Sequence, residues 1–581
     1  MQDQKNIVIA VVLSLAIILG FQFLWPADPT PPPAADGQTA TSKTDQPAPS
    51  APSAAAIPAP DGGGSTAAAP AATQGPRDRA AALAEAPRVA IDTPALTGSL
   101  SLRGARIDDL TLREYRTEVD PASPAIVLLS PQDTPTAYYA EFGFVAGDKA
   151  TPVPGPDTPW QADGATLTPD SPVTLTWDNG QGLRFTRVVS VDAHYMFTIR
   201  DRVENSGVRP ATIYPYGLIS RGYRPQTLGY YILHEGPLGV FDGTLKEVDY
   251  KDLENEDNGV IGQDTVGGWI GITDKYWLTA IDLDNDATSK TRFVHTEGNG
   301  DRYQVDYRGE GVTIRPGDSV DTHTDFFAGA KRVQILDKYA KDYGITNFDL
   351  AVDFGWFYFL TKPFFYAIQF LYGILGNFGL AIMAFTLALR LLMFPLANKS
   401  FKSMSAMKKL QPEMKKIQER FADDKPRQQQ EMMALYKREK VNPVSGCLPI
   451  AIQIPIFFSL YKVLFVSLEM RHAPFFGWIK DLSAPDPTTF FNLFGLIPWD
   501  PPSFLHIGVW PLIMGLTMWL QQKLNPAPAD PMQAKIMMFL PVVFTIMLAG
   551  FPAGLVIYWA TNNLLSMTQQ WVIMRRMGVS A

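Results

Sequence analysis

Residues Cys447–Leu468, CLPIAIQIPIFFSLYKVLFVSL, constrain this chain most. They form an apolar run of 22 residues, the length of one bilayer crossing as a helix. Yet Pro449, Gln453 and Pro455 interrupt it. In lipid each backbone group freed by a proline needs a substitute partner, so such breaks survive only beside protein or water. A passive anchor has no use for them, whereas a helix lining a wet cavity does. A basic helix, Glu431–Lys440, precedes the run, and Asn442-Pro443 separates the two.

Charge divides the chain. Residues 26–350 hold 28 Lys+Arg against 45 Asp+Glu, a net of −17, and residues 351–581 hold 21 against 12, a net of +9. An acidic half beside a basic, apolar half points to two compartments. The single Cys447 excludes an intrachain disulfide.

Ile7–Trp25 is a second apolar run, 19 residues long, followed by Trp25-Pro26 instead of a small-x-small cleavage site. It reads as an uncleaved N-terminal anchor, residues 1–25. Residues 26–85 are rich in Pro and Ala with few large apolar side chains, the composition of a disordered tether. From 86 to 343 short β-like runs, among them Leu100–Leu112, Leu183–Val191 and Trp269–Ile281, alternate with turn signals such as Asp178-Asn179-Gly180. That pattern predicts a large antiparallel sandwich. Residues 344–376, dense in Phe, Tyr and Trp with Lys362-Pro363 inside, predict an amphipathic helix lying in the outer membrane interface.

Five further spans are predicted at 377–396, 447–468, 505–522, 536–551 and 555–574. Lys399–Lys440 carries 12 Lys+Arg against six Asp+Glu; Lys523, Lys535, Arg575 and Arg576 fall on the same side. The positive-inside rule makes that side cytoplasmic. The N-terminus and C-terminus are then cytoplasmic, and the acidic β domain and the loop after the second core span lie outside. The fold class is a polytopic α-helical membrane protein of six spans, one N-terminal anchor plus a five-helix core (377–581), with a large all-β periplasmic sandwich domain and a cytoplasmic helical hairpin (397–443).

Arg390 lies inside a predicted span, where the bilayer centre costs an arginine roughly 2.5–3.5 kcal/mol. It is six residues from Leu396, about 9 Å of helix rise, so snorkelling to cytoplasmic headgroups is one reading. A charge facing a water-filled cavity is the other. The last span carries a polar stripe, Trp559, Asn562, Asn563, Ser566, Gln569 and Gln570, at helical spacing. Interhelical hydrogen bonding is the rival reading of such a stripe, but six polar residues on one face exceed what a dry seam needs, which tilts the reading toward the cavity. No Asp or Glu falls within the five core spans, which disfavours an ion-coupled solute transporter. Lys462, near the outer end of its helix, reads as a snorkelling residue without function.

In the hairpin Met407, Leu410, Met414, Ile417 and Phe421 recur at coiled-coil spacing, and Met432, Leu435 and Tyr436 return to face them. Lys408, Lys409, Lys415 and Lys416 suit phosphate-bearing or acidic partners, and Met side chains such as Met414 suit varied apolar sequences. Charge leaves lipid, ribosomal RNA and protein open as partners. No nucleophile motif, phosphate loop or metal-spaced His/Cys cluster is present, so neither enzyme chemistry nor a cofactor is predicted.

Several short motifs stand together in the C-terminal half. They are Glu431–Lys437 (EMMALYK), Lys440–Pro443, Gly446-Cys447, Gln453, Pro455–Phe457, Asp530–Gln533 and Phe551-Pro-x-Gly554. In this the chain resembles the YidC membrane protein insertase family of Gram-negative bacteria. The resemblance covers roughly 354–576 closely and the anchor, tether and β domain loosely.

The resemblance implies a five-helix groove open to cytoplasm and lipid and closed outside, working without ATP. A positive residue there attracts the hydrophilic part of a nascent membrane protein, whose apolar segment slides into the bilayer along a greasy helix face. The groove arginine matches Arg390, with Thr386 one turn earlier. Apolar substrate contacts match Phe457 and Met514, and Gln522 and Trp559 line the groove by similarity. Asn562 and Ser566 join them from the polar stripe. The resemblance also implies contact of the hairpin with ribosomes and the Sec translocon, and no DNA. Many relatives carry a longer basic tail after the position of Arg576, which places more of the ribosome contact on the hairpin here. The rival from another class is a membrane-tethered periplasmic carbohydrate-binding or carbohydrate-processing protein, because large β-sandwiches often serve that role.

Overall fold

The computed structural model describes residues 77–227, 233–298, 300–422, 424–439, 448–499, 501–502, 506–524 and 531–576. The predicted anchor (1–25), most of the tether, the Asn442-Pro443 break and Cys447 lie outside the described residues.

Two large sheets occupy Arg88–Ala330. The first has eleven strands. Along its main path the order is Val260–Val266, Thr288–Gly298, Gly300–Arg308, Ala211–Arg221, Tyr138–Ala146, Ile107–Arg116, Leu96–Ser101, Arg88–Asp92 and Thr166–Leu167. The second has nine: Thr244–Glu247, Gly236–Phe241, Gly268–Thr273, Trp277–Asp282, Ser319–Ala330, Met196–Asn205, Leu183–Val191, Val173–Asp178 and Gln161–Ala162. Pairing is antiparallel except between Arg88–Asp92 and Thr166–Leu167.

The period of two drives the packing. In Leu183–Val191 the side chains Leu183, Phe185, Val189 and Val191 are buried while their neighbours are not. Inward-facing rings from opposite sheets meet edge to face, Phe142 on Phe326 and Phe241 on Phe293. One inward position on Leu183–Val191 is a cation, Arg187. Its Nε and Nη2 donate to both oxygens of Asp201 on the neighbouring strand at 2.7 and 2.8 Å, and Nη1 donates to the Phe142 carbonyl of the other sheet at 2.8 Å. A buried charge is tolerated only when so fully partnered.

Two of the predicted strand runs are hairpins. Leu100–Leu112 turns at Gly104 and Ala105, both at positive φ, and Ser101 N–H donates to Arg106 O across the turn. Trp269–Ile281 turns at Asp274, whose N–H donates to Trp277 O. An apolar run with no obvious turn dipeptide conceals a tight turn from sequence reading.

Nine helices of ten or more residues follow among the described residues. They are α1 (Val333–Asp342), α2 (Tyr358–Leu375), α3 (Phe378–Leu392), α4 (Phe394–Arg420), α5 (Lys425–Arg438), α6 (Leu448–Val466), α7 (Val509–Leu524), α8 (Pro531–Leu548) and α9 (Ala553–Arg576). In α2, Phe365 and Ile368 are buried while Phe359 and Phe370 are exposed, as is Trp356 just before it. Lys362 on α2 reaches Asp337 on α1 at 2.8 Å and Asp349 at 2.6 Å.

The span predicted at 377–396 is bent. Helices α3 and the start of α4 meet at 59° around Met393, where Pro395 removes a backbone donor. No single described helix is long and apolar enough to cross a membrane by itself; the two arms of this bent pair are so only together, and Ile452–Val466 and Lys535–Leu548 are shorter apolar stretches. Helix α6 runs unbroken through Pro455. Pro449 sits in its first turn, where a missing N–H costs nothing, so the predicted interruption there does not occur.

Helices α4 and α5 pack antiparallel. Asp424 caps α5 by accepting from Arg427 N–H at 3.1 Å. Met414 and Leu435 are buried between the two helices, Tyr436 Oη reaches Met414 Sδ, and Arg438 pairs with Glu413 at 2.8 Å. Lys409, Lys415 and Lys416 are exposed; the side chain of Lys408 lies outside the described residues.

In the second sheet burial beside the Asp325 carboxylate pushes the Asp282 carboxyl up to about 8 from an ordinary 3.8. His323 stands 3.3 Å from Asp325 on its other side. Asp282 therefore takes up a proton on folding between those two values, and its share of stability falls as pH rises through about 8. Wild type should gain thermal midpoint from pH 8.5 down to pH 5.5 through this group, and Asp282→Asn should flatten that rise. Parallel pH profiles for the two proteins contradict that assignment.

Candidate functional site

Arg390 stands two residues before the end of α3, just ahead of the bend at Met393. The bend keeps Leu389, Arg390, Met393, Leu396 and Ala397 on one continuous face, although they belong to two helices. Across from them α6 presents Ile452, Gln453 and Ile456, and α9 presents Asn562. These nine residues line a single cleft.

The polar contacts in it are few. Arg390 Nε and Nη2 both donate to Asn562 Oδ1, at 2.8 and 2.6 Å. Among the described residues no carboxylate lies within ion-pair distance of Arg390. A guanidinium has five N–H donors, and an amide oxygen satisfies its geometry without cancelling its charge. The cleft is therefore positive and apolar at once. A carboxylate entering to about 6 Å gains roughly 3 kcal/mol at an effective dielectric near 20. Gln453 Nε2 donates to Tyr558 Oη at 2.8 Å, docking the polar point of α6 on α9.

One turn outward, Phe457 meets Trp559 edge to face at 4.7 Å, and Trp559 also meets Phe544 at 5.5 Å. Phe457 is half-buried, and its neighbour Phe458 is exposed. An aromatic surface thus adjoins the cationic cleft.

The other predicted site residues lie differently. Thr386 is buried, its hydroxyl donating to Ile382 O at 2.6 Å within its own helix. Ser566 is likewise buried and donates to Asn562 O at 2.6 Å, which steadies the residue that holds Arg390. Met514 has no exposed surface and packs with Leu548, Val556 and Ala560 in the seam of α7, α8 and α9. Gln522 donates to the Met537 carbonyl and ties α7 to α8.

The polar stripe of α9 divides in two. Asn562 faces Arg390, whereas Asn563 donates to Thr517 at 3.2 Å and Gln570 to the Leu524 carbonyl at 3.2 Å, both on α7. A step of one residue turns a helical side chain by about 100°, so the two asparagines serve different helices. Lys462, expected to snorkel, instead pairs with Asp353 at 2.7 Å. The sequence marks Gln453 as a helix break and as part of the family motif, not as a wall of the cleft, and leaves Tyr558 unmarked. The available signal was the spacing of Tyr558 four residues before Asn562, on the same helical face.

Because Met514 is core, Met514→Ala should lower the stability of the purified protein by about 2–5 kcal/mol, and Met514→Leu by less than about 1.5 kcal/mol. Denaturant titration in detergent reads both. Equal, small losses would place Met514 at a free surface.

Residues 88–367 match the family described as the YidC periplasmic domain, and residues 370–579 match the 60Kd inner membrane protein family. The chain is similar to curated proteins named membrane protein insertase YidC. The relative from Methylorubrum extorquens (strain PA1) is 52% identical over 99% of this chain and 96% of its own length. That from Bradyrhizobium diazoefficiens is 50% identical over 100% of this chain and 97% of its own. That from Nitrobacter hamburgensis is 54% identical over 86% and 85%. With two family matches spanning both halves and full-length relatives at about half identity, the chain belongs to the YidC family of membrane protein insertases.

Proposed function

We propose that this insertase works through the Arg390 cleft. The hydrophilic segment of a nascent membrane protein enters the cleft from the cytoplasmic side, drawn by the guanidinium. Its apolar segment then leaves along the aromatic and aliphatic surface around Phe457 into lipid. The observation that carries the reading is a half-buried cation whose described partner is one neutral amide, set between α3, α6 and α9.

The driving force is apolar burial. A methylene moved from water to lipid gains roughly 0.8 kcal/mol, so a segment of about 20 apolar residues outweighs the desolvation of a short polar stretch. The cleft shortens the path that the polar stretch crosses without full hydration. No covalent bond forms or breaks, in keeping with an insertase family in place of a catalytic one.

In this reading α3 with the start of α4, α6, α7, α8 and α9 are the core spans. Residues 1–25 are the sixth crossing, and the two-sheet domain is periplasmic. The α4–α5 pair is then cytoplasmic, where Lys409, Lys415 and Lys416 are free to meet ribosomal RNA, the Sec translocon or anionic lipid. Thr386, Ser566, Met514 and Gln522 act by holding the groove walls in place, and Trp559 by closing its aromatic side. The carbohydrate reading gains no support, since relatives named as insertases match the chain from end to end.

Arg390→Ala should reduce insertion of substrates with acidic translocated segments while leaving the protein folded, and Arg390→Lys should retain most insertion. Asn562→Asp is the sharper variant. It sets a carboxylate against the guanidinium, cancels the positive field and should depress insertion as Arg390→Ala does. Protease protection of radiolabelled substrates in proteoliposomes reads all three. Wild-type insertion by Asn562→Asp contradicts the charge mechanism.

A further inference from the structure

The loop between α6 and α7 contains a strained turn that presents large apolar side chains outward. Leu493 (φ 49, ψ 45) and Phe494 (φ 58, ψ 37) are consecutive left-handed residues, a conformation that β-carbons disfavour. Phe490, Phe491, Leu493, Phe494 and Trp499 are exposed around them, and Leu496 is 83% exposed. From Pro487 to Trp499 no residue is charged.

The turn is held firmly. Phe494 N–H donates to Thr489 O at 3.0 Å, Ile497 N–H to Asn492 O at 3.0 Å, and Phe490 N–H to Ile507 O at 3.0 Å. Its base is the buried Asp486. That carboxylate accepts from Thr488 N–H and Oγ1, from Trp478 Nε1 at 3.1 Å, and from Trp510 N–H at 2.9 Å. Thr488 Oγ1 also accepts from Val509 N–H at 3.1 Å. Asp486 and Thr488 thereby cap the first turn of α7 and fix the loop to that helix.

A backbone strained to keep six large apolar side chains out of the core is doubly unfavourable in water. Phospholipid removes half of that conflict. The surface also continues one that a membrane-embedded family must cover: Leu512, Ile513, Leu516 and Leu520 are exposed along α7. Phe and Trp mixed with Thr and Asn suit the headgroup boundary better than the acyl centre.

We propose that Phe490–Trp499 is a rigid aromatic wedge seated in the outer-leaflet interface, pinning the outer end of α7 to phospholipid. The outer-leaflet assignment rests on the orientation given under Proposed function; the wedge itself rests on the geometry above.

The test uses full-length Cys447→Ser protein in vesicles of phosphatidylethanolamine and phosphatidylglycerol. Spin labels go at Leu496→Cys, at Phe490→Cys and, as an aqueous control on the β domain, at Val208→Cys, where the native side chain is 92% exposed. Power saturation should show collisions with oxygen exceeding those with a water-soluble nickel chelate at 496 and 490, and the reverse at 208. In parallel Lys480→Cys, at an exposed residue of the same loop, is treated in spheroplasts with a membrane-impermeant maleimide and should react. Reaction at 480 with nickel-dominated collisions at 496 and 490 overturns the wedge while leaving the orientation intact. Absence of reaction at 480 until lysis overturns the orientation and the outer-leaflet assignment with it.

Discussion

The helical half of this protein is arranged around a cation with no counter-ion among the described residues. Arg390 is half-buried in a largely apolar cleft, and the contact that holds it is the Asn562 carboxamide oxygen, which two guanidinium nitrogens share. A carboxylate in that place would give a stronger pair and an electrically silent cleft. The amide fixes the direction of the guanidinium and leaves its field available. Other features serve that contact. The bend at Met393 and Pro395 turns α4 away beneath it, Ser566 secures the Asn562 carbonyl, and Gln453 on Tyr558 brings α6 up to form the third wall.

The two-sheet domain is tied to these helices by ion pairs and rings as well as by a continuous apolar core through Phe348, Val352 and Phe354. Lys362 on α2 bridges Asp337 on α1 and Asp349, and Lys462 on α6 pairs with Asp353 in the connecting segment. Gly355, at φ +70, lies where a β-carbon would meet the Lys462 side chain, so a glycine there permits the approach. Arg471, after α6, donates to Arg116 O at 2.6 Å and lies over the Tyr276 and Trp277 rings of the second sheet. Helix α6, which carries Gln453 and Phe457, is therefore anchored near its C-terminal end to the segment that leaves the sheets. That anchoring sets where its polar point falls along the cleft.

Much of this was legible from residue order. Leu183–Val191 has the boundaries its alternation predicts, and Met414 of the repeating apolar seam meets Tyr436 of α5. What escaped reading depends on three-dimensional neighbours. Arg187 breaks the apolar alternation because Asp201 and a carbonyl of the opposite sheet wait for it. Asn562 and Asn563 look equivalent in a stripe, yet rotation by one residue sends one to Arg390 and the other to Thr517. Lys462 seemed a snorkelling residue only because Asp353 is remote in sequence. Arg390 itself was visible as an anomaly. Its partner was not, since an asparagine at helical spacing is common packing glue.

The central claim is that Arg390 meets the hydrophilic part of the substrate before lipid meets the apolar part. It is tested most directly by a photoreactive amino acid placed at Gln453 in the cleft or at Phe458 on the exposed face of the same helix. Each is challenged with ribosome-bound nascent chains of increasing length that carry one apolar segment. The account predicts crosslinks from 453 at short lengths that give way to crosslinks from 458 as the segment emerges. Crosslinks from 458 at every length, with none from 453, would contradict it and would leave Arg390 without a role in insertion.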